Sequence, residues 1–435
     1  MPDTRPQPER LPEPRILPPA EALLAAESGG GTPCERAAPE RIRKGTPAFR
    51  RIAFAMLAAG FATFALLYAV QPLMPIFARE FSLHAASSSL VLSISTGLLA
   101  GGLILTGPLS DAVGRRPVMM IALFGSALGT LGSAVMPTWH GVLFMRAIIG
   151  LSLSGLVAVA MTYLSEEIHP EVLGWSMGLY ISGNALGGML GRLIVGVIVD
   201  FVSWRVALGV LGGLGLIAAL LFARLAPASR HFRPTPLHWA HLRAGFALHL
   251  RDGALPWLFA EGFLLMGGFV TLFNYISYRL LAPPYLLSQA IVGCISAVYL
   301  IGMYSSARVG ALADKLGRRR VLWVVTATML AGVLVTLARP LPVVLLGMLI
   351  FTFGFFGAHS VASSWIGRRA RQARGQASSL YLLAYYLGGS IAGTLGGYWW
   401  HLAGWPGVAL FIAALLLAAL LVAVRLIRVP PLTAA

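Results

Sequence analysis

Charge is what this sequence has least of. Asp, Glu, Lys and Arg together make up 11% of the 435 residues, while 57% are hydrophobic and the mean hydropathy is +0.78. Soluble domains carry about 25% charged residues, so a soluble globular fold is excluded and the chain is an integral membrane protein. Cysteine is nearly absent: Cys34 and Cys294 lie far apart in sequence and in expected depth, which excludes a disulfide framework and a thiolate metal site. No Gly-x-x-x-x-Gly-Lys-Ser/Thr phosphate loop occurs, so ATP is not the driver. Clustered carboxylates are missing except for Glu166, Glu167 and Glu171, which leaves little for a membrane enzyme, such as a transferase on lipid-linked substrates, to work with. His231, His238, His241 and His249 share one loop but have no carboxylate or thiol at ligand spacing, so neither a metal nor another cofactor is expected.

The charge that is present is strongly basic, with 33 Lys and Arg against 16 Asp and Glu. A net +17 could signal nucleic acid, so the distribution decides. Twenty-seven of the 33 basic residues fall on the side of the N-terminus, four on the other side, and Arg146 and Arg192 inside apolar runs. That is positive-inside topology: a multi-pass protein of the cell inner membrane with both termini cytoplasmic, whose surroundings are the lipid bilayer and not nucleic acid.

Twelve apolar runs follow a polar head, each long enough for the ~20 residues that cross a bilayer. They are expected near 52–77, 88–110, 117–136, 139–165, 173–199, 204–225, 255–279, 287–309, 320–338, 341–366, 375–400 and 404–426. The expected organisation is a disordered cytoplasmic tail over 1–50, a six-helix bundle over 51–225, a cytoplasmic linker over 226–254, a second six-helix bundle over 255–427, and a short cytoplasmic tail over 428–435. No apolar signal segment follows the first methionine, so the first membrane helix is expected to act as its own address.

Two internal echoes support the division. Gly107-Pro-Leu-Ser-Asp111-Ala-Val-Gly114-Arg115-Arg116 returns 203 residues later as Gly310-Ala-Leu-Ala-Asp314-Lys-Leu-Gly317-Arg318-Arg319. Gly174, Leu179, Tyr180, Gly187, Gly188 and Gly196 return 201 residues later as Gly375, Leu380, Tyr381, Gly388, Gly389 and Gly397. Asp111 closes an apolar run, where the macrodipole of a helix C-terminus disfavours negative charge, so something must compensate it. Arg115 or Arg116 can do part of this, and the positive end of another helix can do the rest.

This repeated turn resembles the signature loop of the major facilitator superfamily, G-x-L-x-D-x-x-G-R-R, over a likeness that runs from about Ile52 to Leu426. It departs from the pattern at Ala112, where a basic residue is usual. The resemblance implies an all-α membrane fold of twelve transmembrane helices in two pseudo-symmetric six-helix bundles, with a binding site at midplane between them. It also implies that Asp111, Gly114, Arg115 and Arg116, with their counterparts Asp314, Gly317, Arg318 and Arg319, form a cytoplasmic gate in which the start of the eleventh helix near Gly375 compensates Asp111. Glu166 and Glu167 in one half face Arg368 and Arg369 in the other by position, which suggests ion pairs when that side closes.

The fifth run carries Gly183-Asn184-Ala-Leu-Gly187-Gly188, similar to the G-P-x-x-G-G element of drug:proton antiporters but with asparagine for proline. Stretches around Gln71, Glu261 and His359 resemble the arabinose-efflux-like branch of inner-membrane exporters, the YnfM type. Glu261 is the one carboxylate well inside an apolar run, and a membrane carboxylate is costly when charged, so it is the candidate proton carrier. Arg146, in an R-x-x-x-G element, and His359 are further candidates for coupling, with a backbone-bonded arginine and a buried neutral histidine as the plainer readings. Tyr68, Gln71, Asn184, Arg192, Asn274, Tyr275, Tyr381 and Tyr385 are expected around a substrate cavity. The expected activity is secondary active transport of a small organic solute by alternating access, as proton-coupled efflux by a monomeric antiporter. Uptake of an organic anion and a non-transporting sensor are the alternatives.

Overall fold

A computed structural model describes residues 41–232, 234 and 239–429. The expected tail over 1–40 with Cys34, the loop residue His238 and the C-terminal residues 430–435 lie outside the described residues. The fold is all-helical, without a strand among the described residues. Lipid offers the backbone no hydrogen-bond partners, so each apolar run closes its own as a helix.

In chain order the long helices are α1 Pro47–Tyr68, α2 Ala85–Val113, α3 Arg115–Val135, α4 Trp139–Glu167, α5 Pro170–Phe201, α6 Trp204–Leu225, α7 Leu255–Leu281, α8 Gln289–Leu316, α9 Arg318–Val335 and α10 Leu341–Arg369. All of these except α9, which carries Arg318, Arg319 and Arg320 at its start, are long and apolar enough to cross a membrane. Arg374–Ile427 then supplies two, α11 and α12, because helical geometry breaks at Ala403 and Gly404, the latter with φ of 58°. Caps fall where the sequence supplies an oxygen: the hydroxyls of Thr46, Thr138, Ser203 and Ser288 accept from the first turns of α1, α4, α6 and α8.

Three boundaries differ from the sequence reading. Residues 41–50 belong to the folded body: α1 starts at Pro47, the Ile42 N–H donates to the Glu167 carbonyl at 2.9 Å, and the His169 N–H donates to the Ile42 carbonyl at 3.0 Å. The first run does not continue to 77; α1 ends at Tyr68, and a separate short helix, Met74–Glu80, starts around Pro75, whose missing N–H is tolerated only in a first turn. The linker contains a helix, Trp239–Leu250.

Each half is built on close glycine contacts between equivalent helices. Gly187 of α5 lies against the Phe61 carbonyl of α1, and Gly388 of α11 lies against the Phe263 carbonyl of α7, so a side chain at either position would meet backbone. The echo of glycines 201 residues apart is therefore the same packing joint made twice. Gly114 and Gly317, with φ of 113° and 90°, turn the chain between α2 and α3 and between α8 and α9. These turns share one face of the protein, the motif face.

The halves meet in the part of the molecule away from the motif face. Near the N-terminal end of α2 and the C-terminal end of α11, Ser390 donates to the Ser93 carbonyl at 2.7 Å, Thr394 to the Ser93 hydroxyl at 2.8 Å, and Gly397 packs on Ala86. Ser88 and Tyr278 share a hydrogen bond of 2.6 Å. On the other side, the Asp200 carboxylate at the end of α5 accepts from the Gln289 and Ala290 N–H groups at 2.9 and 2.8 Å, capping α8 across the two halves. Gly196 packs on Gln289 and Gly293 on Arg192. The structure therefore closes the far face.

Candidate functional site

The repeated turns are occupied within their own halves. Arg115 donates to Asp111, to the Ser110 hydroxyl at 2.7 Å and to Glu166 at 2.8 Å, so it gathers two acids of its own half. Arg116 turns away and donates to the Ala223 carbonyl at 2.5 Å. In the second copy Asp314 is shared by Arg318 at 2.5 Å and Arg368 at 3.0 Å, while Arg318 also reaches Ser364. Asp111 is bonded by Arg115, and no hydrogen bond to it from the start of α11 is found among the described residues. Nor are the expected cross-half pairs formed. Glu166 goes to Arg115, Glu167 to His231 at 3.2 Å, Arg368 to Asp314, and Arg369 to Asp252 at 2.7 Å. Those pairs were expected of a closed motif face, and it is the far face that is closed here.

Arg146, expected as a coupling candidate with a backbone-bonded arginine as the plainer reading, makes the backbone bonds of that plainer reading. It is 1% exposed, and Nε, NH1 and NH2 each donate to a carbonyl, of Val91 at 2.8 Å, Leu66 at 2.8 Å and Leu67 at 2.7 Å. Leu66 and Leu67 end α1, where carbonyls have no partner in their own helix. Arg146 satisfies them and ties α4 to α1 and α2.

Arg192 is held differently. It lies on α5, 4% exposed, at the seam between the halves. Its Nε donates to the Gln71 Oε1 at 2.7 Å, its NH2 to the same oxygen, and its NH1 to the Gly188 carbonyl. Gln71 in turn donates to the Asn274 Oδ1 of α7 at 2.8 Å, a link across the halves. The guanidinium sits 5.1 Å from the Tyr68 ring centroid, 4.9 Å from Tyr299 and 5.9 Å from Phe273. A small cavity opens beside it, lined by Gln71, Arg192, Phe273, Ser277, Ser296 and Met348.

An aromatic tract leads from this cation through the second half. Phe273 and Tyr299 touch Phe269, Phe269 stacks on Phe355 with centroids 3.8 Å apart, and Phe355 stacks on His359. His359 Nδ1 shares a 2.8 Å hydrogen bond with the Tyr381 hydroxyl and packs against Tyr385. The ring of Tyr381 lies over Gly262, next in sequence to Glu261. Glu261 is fully buried; its Oε1 accepts from the Thr326 hydroxyl of α9 at 3.2 Å, and its Oε2 has no partner.

Of the eight expected cavity residues, Tyr68, Gln71, Arg192 and Asn274 gather where the halves meet, and Tyr381 and Tyr385 lie at the end of the aromatic tract beside His359. The other two lie elsewhere. Tyr275 is spent inside the second half, its hydroxyl donating to the Gly393 carbonyl at 2.8 Å, and Asn184 sits in the α1–α5 joint opposite Gly60. The sequence reading missed Tyr299, Phe273, Ser93, Asp200 and Tyr278. A serine or an aromatic residue in an apolar run carries no signal of its own, whereas an acid as near a helix end as Asp200 could have been marked.

A helical chain of two halves related by sequence echoes has relatives among known proteins. The sequence profile of the Major Facilitator Superfamily matches residues 53–393 and 287–435. The chain belongs to the Major Facilitator Superfamily. It is 59% identical over 387 residues to the inner membrane transport protein YnfM of Escherichia coli K12, covering 89% of this chain and 93% of that one. It is 48% identical over 367 residues to YybF of Bacillus subtilis, an uncharacterized transporter of the same superfamily, covering 84% and 91%. Among solved structures, the nucleoside transporter NupG superposes with a TM-score of 0.71 at 16% identity, over 87% of this chain and 100% of that one. A bacterial homolog of the lysosomal transporter Spinster, inward-facing and occupied, superposes with 0.72 at 12% identity, over 88% and 97%. This superfamily member is therefore a multi-pass transporter of the YnfM type and not an enzyme.

Proposed function

We propose that this transporter exports a small organic solute across the inner membrane in exchange for protons, by alternating access between its two halves. The observation that carries the reading is Glu261, a carboxyl buried on a membrane helix with one oxygen bonded to Thr326 and the other unpartnered. An ionised carboxylate in such a place is costly unless paired, whereas a protonated one is tolerable, so a group that must be neutral when enclosed and can ionise when wetted suits a proton carrier. Tyr381 and His359 extend from Glu261 toward the aromatic tract, which offers a path by which protonation there and occupancy of the seam can influence each other. The basic excess supports a cytoplasmic motif face and cytoplasmic termini. On that assignment the closed far face is the periplasmic one, and the present state loads from the cytoplasm, the order that export requires.

The test is Glu261→Gln in inverted membrane vesicles with a pH-sensitive dye. The amide keeps the shape of the protonated acid, so pH-driven net transport is lost while solute binding persists. Wild-type pH dependence in the variant would move the carrier elsewhere, with His359 next.

A further inference from the structure

We infer that Arg192 is the docking cation for the carboxylate of an aromatic organic acid, held between the rings of Tyr68, Tyr299 and Phe273. The inference rests on the reading of the chain as a solute transporter and adds the chemical class of the solute.

A guanidinium has five N–H donors in a planar fork. At Arg192 three contacts are made, two of them to the single oxygen of Gln71, a neutral acceptor, and one to the Gly188 carbonyl. No Asp or Glu reaches it among the described residues, although a buried cation is ordinarily paired. Around it are further buried polar atoms with nothing to bond, Asn274 Nδ2 and the Tyr68 hydroxyl, while the Tyr299 hydroxyl interacts with Arg192 itself. Buried orphans are rare, and two near one uncompensated cation define what is missing, an anion with several acceptor lone pairs. A carboxylate has two oxygens in the geometry of the guanidinium fork and four lone-pair sites, enough for Arg192 and Asn274 together. Arg146 offers no competing site, because its nitrogens are all committed to carbonyls.

The walls specify the rest of the molecule. Tyr68, Tyr299 and Phe273 surround the guanidinium, and the last two lead into Phe269 and Phe355, a surface for a flat apolar body with few groups to bond a polyhydroxyl one. The same cation repels a lipophilic cation. Tyr68, Gln71 and Arg192 belong to the first half and Asn274, Phe273 and Tyr299 to the second, so the ligand would be gripped by both halves, and Gln71 stands in for its carboxylate in the closed, unloaded seam.

Purified protein in detergent, with benzoate, nicotinate and indole-3-acetate each run against its neutral amide, and with benzylammonium, tests this by the shift in melting temperature. At least one carboxylate raises the melting temperature by several degrees where its amide does not, and Arg192→Lys, which keeps the charge but loses the fork, weakens that binding at least tenfold. Equal shifts from acid and amide, a shift from benzylammonium, no shift from any of the three acids, or unchanged binding in R192K each overturns the assignment. Arg192→Gln serves as a second variant and loses the shift outright. Binding is read without a gradient, so carboxylate binding without proton-driven export sinks the coupling reading alone, while intact proton-driven efflux activity in R192K sinks this one alone.

Discussion

At the scale of single residues, two arginines of the same kind in similar helices have opposite fates because of what surrounds them. Arg146 meets the open carbonyl end of α1 and becomes structural, whereas Arg192 meets rings and an amide and keeps spare donors. Replacing Arg146 with Met leaves the two carbonyls of Leu66 and Leu67 short of a donor, at about 1–3 kcal/mol for a buried group left unsatisfied. Arg146→Met therefore lowers the melting temperature and the yield of folded protein, while the pH dependence of transport in the folded fraction stays as in wild type; a changed pH profile at normal stability would restore Arg146 to the coupling machinery. Asp252 offers a second residue-scale test. Burial works against its charge, yet the bond from Arg369 and the N–H groups of Ala254 and Leu255 at 2.8 and 2.9 Å outweigh burial and hold its carboxyl below its ordinary value. A depressed folded value contributes stability above the unfolded one, near ~3.9 for Asp, and loses it as pH falls through the folded value. The melting temperature of Asp252→Asn is thus below that of wild type at pH 7, and the gap narrows below about pH 4. A gap that stays constant from pH 7 to pH 3 would contradict the pairing.

At the scale of elements, the compensation expected at one face is realised at the other. The sequence reading placed the acid Asp111 against the start of α11, but in this state the acid at a foreign helix start is Asp200, on the first two residues of α8. The physics is the same: free N–H groups and the positive dipole end of a helix accept a carboxylate. Asp200 is then a latch of the far face. Removing a capping side chain costs about 0.5–2 kcal/mol, which shifts a two-state population about two- to thirtyfold. Asp200→Ala should raise the labelling rate of a cysteine placed at Ser93, behind that face, by a factor in this range. An unchanged rate means that the α2–α11 contacts hold the face by themselves.

At the scale of the whole molecule, the two halves are joined along α2–α11 and α5–α8 on one side of the membrane, while on the other side the acids Asp111, Glu166 and Asp314 pair within their own halves and Glu167 and Asp252 pair through the linker. Such an arrangement lets one face separate without breaking an ion pair between halves. The seam that closes the far face also contains Arg192, Gln71 and Asn274, so closing that face and rearranging the solute site are one event. In the proposed cycle, a solute that takes Gln71's place at Arg192 would change the contacts that hold the halves together.

The sequence by itself determined the membrane class, the twelve helices, their division into two related halves and the two glycine-arginine turns, because hydropathy, helix length and repeat spacing are local quantities written along the chain. It also singled out Glu261, Arg146 and Arg192, because an ionisable residue in an apolar run is visible without neighbours. Only the tertiary structure decided that Arg146 is spent on the end of α1, that Arg192 faces Tyr299 and Phe273 from 107 and 81 residues away, and that Asp200 caps α8. Those outcomes depend on which helix faces which, and glycine joints such as Gly187 on Phe61 and Gly388 on Phe263 set that by how closely two backbones can approach.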